Sequence, residues 1–395
     1  MPTRQQISLS LTWDQVTAFR LKRHHLVERA AKQALLSVAG DMSGAQAQLP
    51  SAAQLSLWTR VRDLQSADIS EALRKRTLVK AACMRRTLFL VPSRDLAIFV
   101  RGTARRAEKE IRWTLGKGVP EPIVEAAIEA TLGILDQPLT RPEIAERVSQ
   151  ALGVPRQDMH GGTGWGNRRK VDGVPVGALT FPVVELLHLA GARGVVCYGP
   201  YRGNEPTFVR ADAWIPSWKD IPAEQAERML LRRYLQAFGP ATPADFAMWS
   251  GLTLTEARAI WAYEQARLAT VDVEGWEAGI LRKDLKELAQ ANIEGPVVRL
   301  LPYFDTFLLG HRERDHLLEA RHRPSVYRPQ GWIAPVVLVD GRVAAVWEQR
   351  REGNRLHVKV TKFGALSRGV LAGIREEAQN LARFLDIPDV DVQIL

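Results

Sequence analysis

Gln46 and Gln48 flank one small residue in the run Gly40-Asp41-Met42-Ser43-Gly44-Ala45-Gln46-Ala47-Gln48-Leu49-Pro50. In extended backbone, side chains two apart project to the same side, so this spacing would place two neutral amides together at the entrance of a helix. Each amide offers two donors and one acceptor, enough to orient a water molecule or a sugar oxygen. Taken alone, a Gln-x-Gln pair is more often the polar surface of a loop.

Other residues with chemical potential fit known sites less well. Gly161-Gly162-Thr163-Gly164-Trp165-Gly166-Asn167-Arg168-Arg169-Lys170 is glycine-rich. It lacks the Lys-Ser/Thr ending of a phosphate-binding loop and the dinucleotide spacing, so no nucleotide cofactor is expected and the run reads as a flexible basic loop. His24-His25 and the stretch from His311 to His316 lack the arrangement of a zinc-binding helix, so no metal is expected either. The two cysteines, Cys83 and Cys197, stand alone in predicted strands of different modules. They read as buried apolar residues rather than a disulfide or metal framework.

The elements around these residues repeat. Pro138-Leu139-Thr140-Arg141-Pro142-Glu143-Ile144-Ala145 returns in type as Pro240-Ala241-Thr242-Pro243-Ala244-Asp245-Phe246-Ala247, 102 positions further on. In each copy a threonine stands three residues before a carboxylate, the capping box that starts a helix. A longer helical pattern precedes each copy. Two β-like runs follow, residues 194–198 with 206–210 and residues 268–273 with 278–281. A weaker copy upstream has helices from Pro50 to Arg62 and from Ser66 to about Lys75, then strands at 78–84 and 87–91 turning at Arg85 and Arg86. Helix, helix, helix, hairpin is the order of a winged helix, whose third helix and wing can hold nucleic acid.

Charge points to the same kind of partner. The net charge is +10, with 54 Lys and Arg against 44 Asp and Glu, and the pI is near 9.8. A polyanion is the expected partner. Arg101, Arg105, Lys109 and Arg112 would form one basic stripe on a helix, although the interleaved Glu108 and Glu110 also suit a plain solvated face. Further basic candidates are Arg168 and Arg169 in the glycine-rich run, Arg323 with Arg321 and Arg328, and Arg350 and Arg351 with Arg355 across a turn at Gly353-Asn354.

The chain has 395 residues, enough for several domains with a substantial core. Modules are expected at 1–92, 93–214, 215–290 and 291–395. The last changes texture to short strands at 297–301, 334–339, 342–349 and 356–360, with hairpin turns at Asp340-Gly341 and Gly353-Asn354. It closes with an amphipathic helix over about 366–385, so it reads as a β-rich domain, a partial barrel under one helix. No run of roughly 18 apolar residues exists and no apolar leader stands at the N-terminus. A cytoplasmic protein that meets no membrane is the expectation.

Several of these residues together resemble a known family. Gln46-Ala47-Gln48, Ser56-Leu57-Trp58-Thr59-Arg60 and Arg86-Thr87-Leu88-Phe89-Leu90-Val91-Pro92 look like the AlkZ and YcaQ group of bacterial winged-helix DNA glycosylases. The likeness continues through Tyr234 to Thr242, Trp249-Ser250-Gly251-Leu252, Leu300-Leu301-Pro302-Tyr303-Phe304-Asp305 and Pro335 to Gly341, nearly the whole length. It implies an α+β fold of tandem winged helices (helix-turn-helix modules) in a C-shaped array with a β-rich C-terminal domain. It also implies excision of alkylated purines and unhooking of interstrand crosslinks, with Gln46 and Gln48 as the catalytic element. One departure is local: Ala45 stands where a bulkier apolar residue is expected beside the first glutamine.

Neutral groups suit that substrate. An N7-alkylguanine is already cationic and leaves without a strong general acid, so the protein need only position water and stabilise an oxocarbenium-like sugar. The leading expectation is thus a monofunctional glycosylase without metal or organic cofactor. It would be a monomer associated with the bacterial nucleoid, acting on double-stranded DNA that contains alkylated purines. DNA contacts are expected from Arg85, Arg86, Arg101, Arg105, Lys109, Arg168, Arg169, Arg323, Arg350 and Arg351. The second reading is a noncatalytic winged-helix DNA-binding protein such as a regulator, in which the amide pair does no chemistry.

Overall fold

Two capping boxes anchor the repeat. The Thr140 backbone N–H donates to Glu143 Oε2 at 2.7 Å, and the Thr242 N–H to Asp245 Oδ2 at 2.9 Å. Each threonine side chain returns the bond to the third residue of the helix it starts, Arg141–Leu152 and Pro243–Ser250. Both helices end at a left-handed glycine, Gly153 and Gly251, where no Cβ opposes the turn. The computed structural model describes residues 9–162 and 168–395 of the chain. They fall into two compact units.

The first unit combines the chain up to Leu78, Arg85–Pro92 and Arg228–Leu395. Its open five-stranded sheet runs in the order Val298–Leu301, Val336–Val339, Arg342–Glu352, Arg355–Lys362, Asp389–Ile394. The first three pairings are antiparallel and the last is parallel. The two edge strands, Val298–Leu301 and Asp389–Ile394, are not paired with each other. The strand Asp389–Ile394 was not expected, although Asp389-Val390-Asp391-Val392 alternates as an edge strand should. Asp340-Gly341 and Gly353 turn the two hairpins with positive φ, as the sequence predicts.

The helix Arg368–Phe384 turns Ile374, Ala378 and Leu381 onto this sheet, in one cluster with Val298, Leu300, Val337 and Val358. The same cluster takes in Val38, Ala53, Trp58 and Ile69 from the helices Leu35–Asp41, Pro50–Trp58 and Ser66–Arg74. One continuous core thus supports the segment carrying Gln46 and Gln48. The hairpin Leu268–Val273 with Trp276–Leu281 follows the helices Pro243–Ser250 and Leu254–Tyr263, the order the repeat predicts. Ser10–Leu11 adds a short parallel strand to it.

The second unit holds Val79–Met84 and Ser93–Glu227. Its helices Glu121–Gly133, Arg141–Leu152 and Val183–Ala190 pack through Val124, Ile128, Ile144, Val148 and Leu186. The hairpin Val196–Tyr198 with Phe208–Arg210 follows. Between the second and third helices the structure inserts a sheet in the order Gln157–Gly162, Arg168–Val176, Leu179–Pro182. The glycine-rich run is thus not simply a flexible loop, because Gly161, Gly162 and residues 168–170 lie in strands. Glycine's low strand preference hid them. Residues 163–167, the middle of that run, lie outside the described residues.

Three histidines in the first unit are neutral core groups. Burial pushes His24 and His311 well below the ordinary histidine value of 6.5, reinforced by the charges of Arg60 and Arg20 respectively. Burial, then Arg20 and Arg342, brings His316 down to about 2. An unfolded chain takes up these protons below about pH 6.5 and the folded chain refuses them. Stability is then fully present above that pH and falls as pH drops. We expect urea-unfolding free energy to decrease between pH 6.5 and 4.5 by up to about 1.4 kcal/mol per pH unit for each histidine. His316→Gln should reduce the slope by about one proton, and a profile flat across this range would show that the folded chain protonates these rings.

Candidate active site

The path to the glutamines starts at the end of the helix Leu35–Asp41. Met42 N–H donates to Val38 O at 3.0 Å and Gly44 N–H to Ala39 O at 2.8 Å, a closing turn that needs positive φ at Ser43 (58°) and Gly44 (88°). A Cβ on Gly44 would stand 2.8 Å from Val91 Cγ1, so glycine alone fits here. Ser43 Oγ donates to Arg233 O at 3.2 Å and fastens the corner.

Beyond it the chain is extended. Ala45–Gln46 pairs antiparallel with Leu88–Pro92, Ala45 opposite Leu90 and Gln46 opposite Phe89, and Ala47 N–H donates to Leu88 O at 2.6 Å. Alternation turns Ala45 and Ala47, which are 0% and 1% exposed, into the core. Gln46 therefore points away from the two alanines, and the chain bends at Gln48 and Leu49 before the next helix. Ala45, where a bulkier residue was expected, is fully buried opposite Leu90.

The two amides differ in environment. Gln46 is 7% exposed, and its Oε1 is buried without a hydrogen-bond partner among the described residues. Gln48 is half-buried, and its Oε1 accepts a long 3.4 Å bond from Leu88 N–H. A buried, unpaired carbonyl oxygen is costly unless something binds it. The segment holds an acceptor ready for a donor and, in Gln48, a second amide that is only weakly engaged. Leu49 then packs with Phe304 and Phe307, and Pro50 opens the next helix.

A family model described as DNA glycosylase AlkZ-like matches residues 39–384. The chain belongs to the AlkZ-like DNA glycosylases. A relative named interstrand DNA cross-link repair glycosylase, from Streptomyces sahachiroi, is 31% identical over 395 residues, which is 98% of this chain and 100% of the relative. The solved structure of the Streptomyces sahachiroi DNA glycosylase AlkZ aligns with a TM-score of 0.80 at 29% identity, covering 98% of this chain and 100% of that one. As an AlkZ-like glycosylase the protein is an enzyme that cleaves N-glycosidic bonds in DNA. The overall α+β architecture with a C-terminal sheet agrees with this match.

The basic residues are placed very unevenly. Arg101 ends the helix Leu96–Arg101 and Arg105 starts another, Arg105–Gly116, so Gly102 breaks the expected stripe. Arg101 grips Asp220 through two bonds of 2.9 and 2.6 Å, and Arg105 grips the buried Glu227. Lys109 and Arg112 are exposed on the second of these helices. Arg85 and Arg86 turn with φ 54° and 60°, and Arg85 donates to Trp249 O. Burial, then the charge of Arg314, lowers Arg85 to about 10. Arg323 pairs with Asp315, Arg350 with Glu352, and Arg351 Nε donates to Gly353 O at 3.0 Å. Arg168 and Arg169 open the strand Arg168–Val176.

The sequence reading missed a buried polar set, Ser56, Arg60 and Asp305, although Ser56, Arg60 and Asp305 stand in the runs that carry the family resemblance. Both cysteines are free and buried; burial pushes Cys197 up to about 12 and Cys83 higher still. Cys83 lies one residue beyond the strand Leu78–Ala82, and both belong to the second unit. Among the described residues, Glu110, Glu185 and His188 hold three potential donor atoms within 4.8 Å of one another. Within this group His188 Nδ1 lies 3.6 Å from Glu185 Oε2. No helix among the described residues is long and apolar enough to cross a membrane.

Gly44→Ala tests the corner directly. Left-handed φ and overlap with Val91 should together cost about 1–3 kcal/mol in chemical denaturation, and excision should fall by more than the folded fraction explains. Gly44→Ala with Val91→Ala removes the overlap but keeps the backbone strain, so it should recover stability only in part. Wild-type stability and activity in the single variant would show that the corner does not set the glutamine strand.

Proposed function

We propose that the enzyme excises purines made cationic by N7 alkylation, including purines joined in an interstrand crosslink, and that Gln46 and Gln48 carry the reaction. The buried, unpaired Oε1 of Gln46, two residues from the weakly engaged amide of Gln48, is the observation that carries this reading. The relative's name, interstrand DNA cross-link repair glycosylase, supports the crosslink part.

In this mechanism the bond from C1′ to N9 breaks and its electron pair moves to the purine, neutralising the positive charge. Water adds its oxygen to C1′ and its proton passes to solvent. An amide oxygen accepts from the attacking water and fixes its approach, while the second amide holds the sugar. Neither amide can protonate a leaving base. Undamaged purines, which depart poorly without protonation, are therefore spared. A crosslinked base cannot swing fully out of the helix because its partner tethers it, so the reading also requires a site that does not depend on deep enclosure of the base.

Double-stranded DNA is held, in this reading, by phosphate contacts that need no sequence. The exposed Lys109 and Arg351 suit that role better than Arg101, Arg105 and Arg350, whose guanidinium groups each meet a carboxylate. The protein acts as a monomer in this reading.

Gln46→Ala and Gln48→Ala should each lower single-turnover excision of N7-alkylguanine by on the order of 10² while duplex affinity stays near wild type. Gln48→Asp should keep more activity than Gln48→Ala, since a carboxylate still accepts from water. Abasic sites revealed by heat or alkali give the readout. Wild-type rates in both alanine variants would return the pair to an ordinary loop and place the chemistry on other residues.

A further inference from the structure

Arg60 and Asp305 form an ion pair in which both side chains are 0% exposed. Arg60 donates through its two terminal nitrogens to Asp305 Oδ2 at 2.8 Å and Oδ1 at 2.7 Å. Ser56 Oγ donates to Oδ2 at 2.6 Å and Phe307 N–H to Oδ1 at 3.0 Å, so each carboxylate oxygen accepts two bonds. The same Arg60 nitrogen that meets Oδ2 also donates to Ser56 O at 2.7 Å and Thr59 Oγ1 at 2.9 Å. Burial alone would raise the Asp305 carboxyl, yet the Arg60 charge and these donors hold it below the usual aspartate range.

Such a pair is a poor choice for stability, because well-packed apolar side chains of similar volume often do as well or better. What it supplies is direction. Phe304, directly before Asp305, is held at φ 57°, a strained conformation that persists where the surroundings over-determine it. Ser56 lies in the helix Pro50–Trp58 and Arg60 just past its end, and the helix begins two residues after Gln48. Leu49, between them, packs in one cluster with Phe304 and Phe307, the neighbours of Asp305. The carboxylate thus reaches across 245 residues of sequence to fix the helix that ends the glutamine strand.

We propose that Asp305, acting through Ser56 and Arg60, is a positioning residue that sets the register and direction of the Gln46–Gln48 segment. The proposal rests on the reading of those glutamines as the reacting pair. None of the three residues touches the substrate; their effect on rate passes through the amides.

Two variants of the full chain test it. Arg60→Met with Asp305→Leu replaces the pair by apolar side chains, and Ser56→Ala removes one donor to the carboxylate. Both should keep duplex affinity within about twofold of wild type. Single-turnover excision of N7-alkylguanine should fall about tenfold or more in the paired variant and severalfold in Ser56→Ala. The decisive measurement is coupling: in a background already carrying Gln46→Ala and Gln48→Ala, Ser56→Ala should have almost no further effect. An undiminished rate in a folded Ser56→Ala variant, or an effect of equal size in both backgrounds, overturns the proposal. If the paired variant does not fold, the Ser56→Ala cycle alone decides. Wild-type excision in the glutamine background would sink the catalytic reading of the pair instead, and that result is read separately from the Ser56→Ala comparison in the native sequence.

Discussion

The site depends on one alternating strand whose inward residues are as small as side chains allow. Ala45 and Ala47 sit in the core beside Leu90, and the ladder to Leu88–Pro92 leaves little freedom along the strand. Because the side-chain period is two, fixing Ala45 in the core fixes Gln46 on the other side. A one-residue slip would exchange the two, turning an amide toward the cluster of Val38, Leu57 and Trp58 and a methyl group away from it. The left-handed corner at Ser43 and Gly44 on one side and the Pro50 helix start on the other prevent that slip. Specificity here comes from register and small volume rather than from many contacts.

What the sequence made legible were features with local physical causes. The capping boxes at Thr140 and Thr242, the turns at Asp340-Gly341 and Gly353, and the extended path of Gln46 each follow from a few adjacent residues. Features set by distant partners were not legible. The helical spacing of Arg101 and Arg105 suggested a phosphate stripe, but Gly102 ends the first helix, and Asp220 and Glu227 lie more than a hundred residues away. Asp305 gave no local sign that its partner is Arg60. Of the candidate site, the extended backbone at Gln46 could be read from the sequence, whereas the buried set of Ser56, Arg60 and Asp305 could not.

The same uneven placement governs how the net charge of +10 can act. Much of the arginine content is committed to carboxylates within each unit: Arg29 binds Glu377 with two 2.8 Å bonds, and Arg232 binds Glu264 at 2.7 and 2.8 Å. Guanidinium suits this role because its planar fork meets both carboxylate oxygens at once. A buried or half-buried pair of this kind contributes orientation more than affinity for a polyanion. Long-range attraction to DNA then falls to the cations left at the surface, where it acts as an even, salt-sensitive field.

Charge and neutrality are also divided between scaffold and site. Asp305, which accepts from Ser56 on the helix after the glutamine strand, has its charge matched by Arg60 and its oxygens filled by four donors. It can neither take a proton from water nor stabilise a developing sugar cation. The amides of Gln46 and Gln48 are polar groups without charge. A bare carboxylate there would bind water about twice as strongly through charge-assisted bonds, and would lower the barrier for poor leaving groups as well as good ones. On the proposed reading, neutral amides would tie the rate to the leaving ability of the base. For an enzyme that must pass over a vast excess of intact purines, that dependence would be the discrimination: the lesion's own positive charge would supply the driving force that the amides withhold.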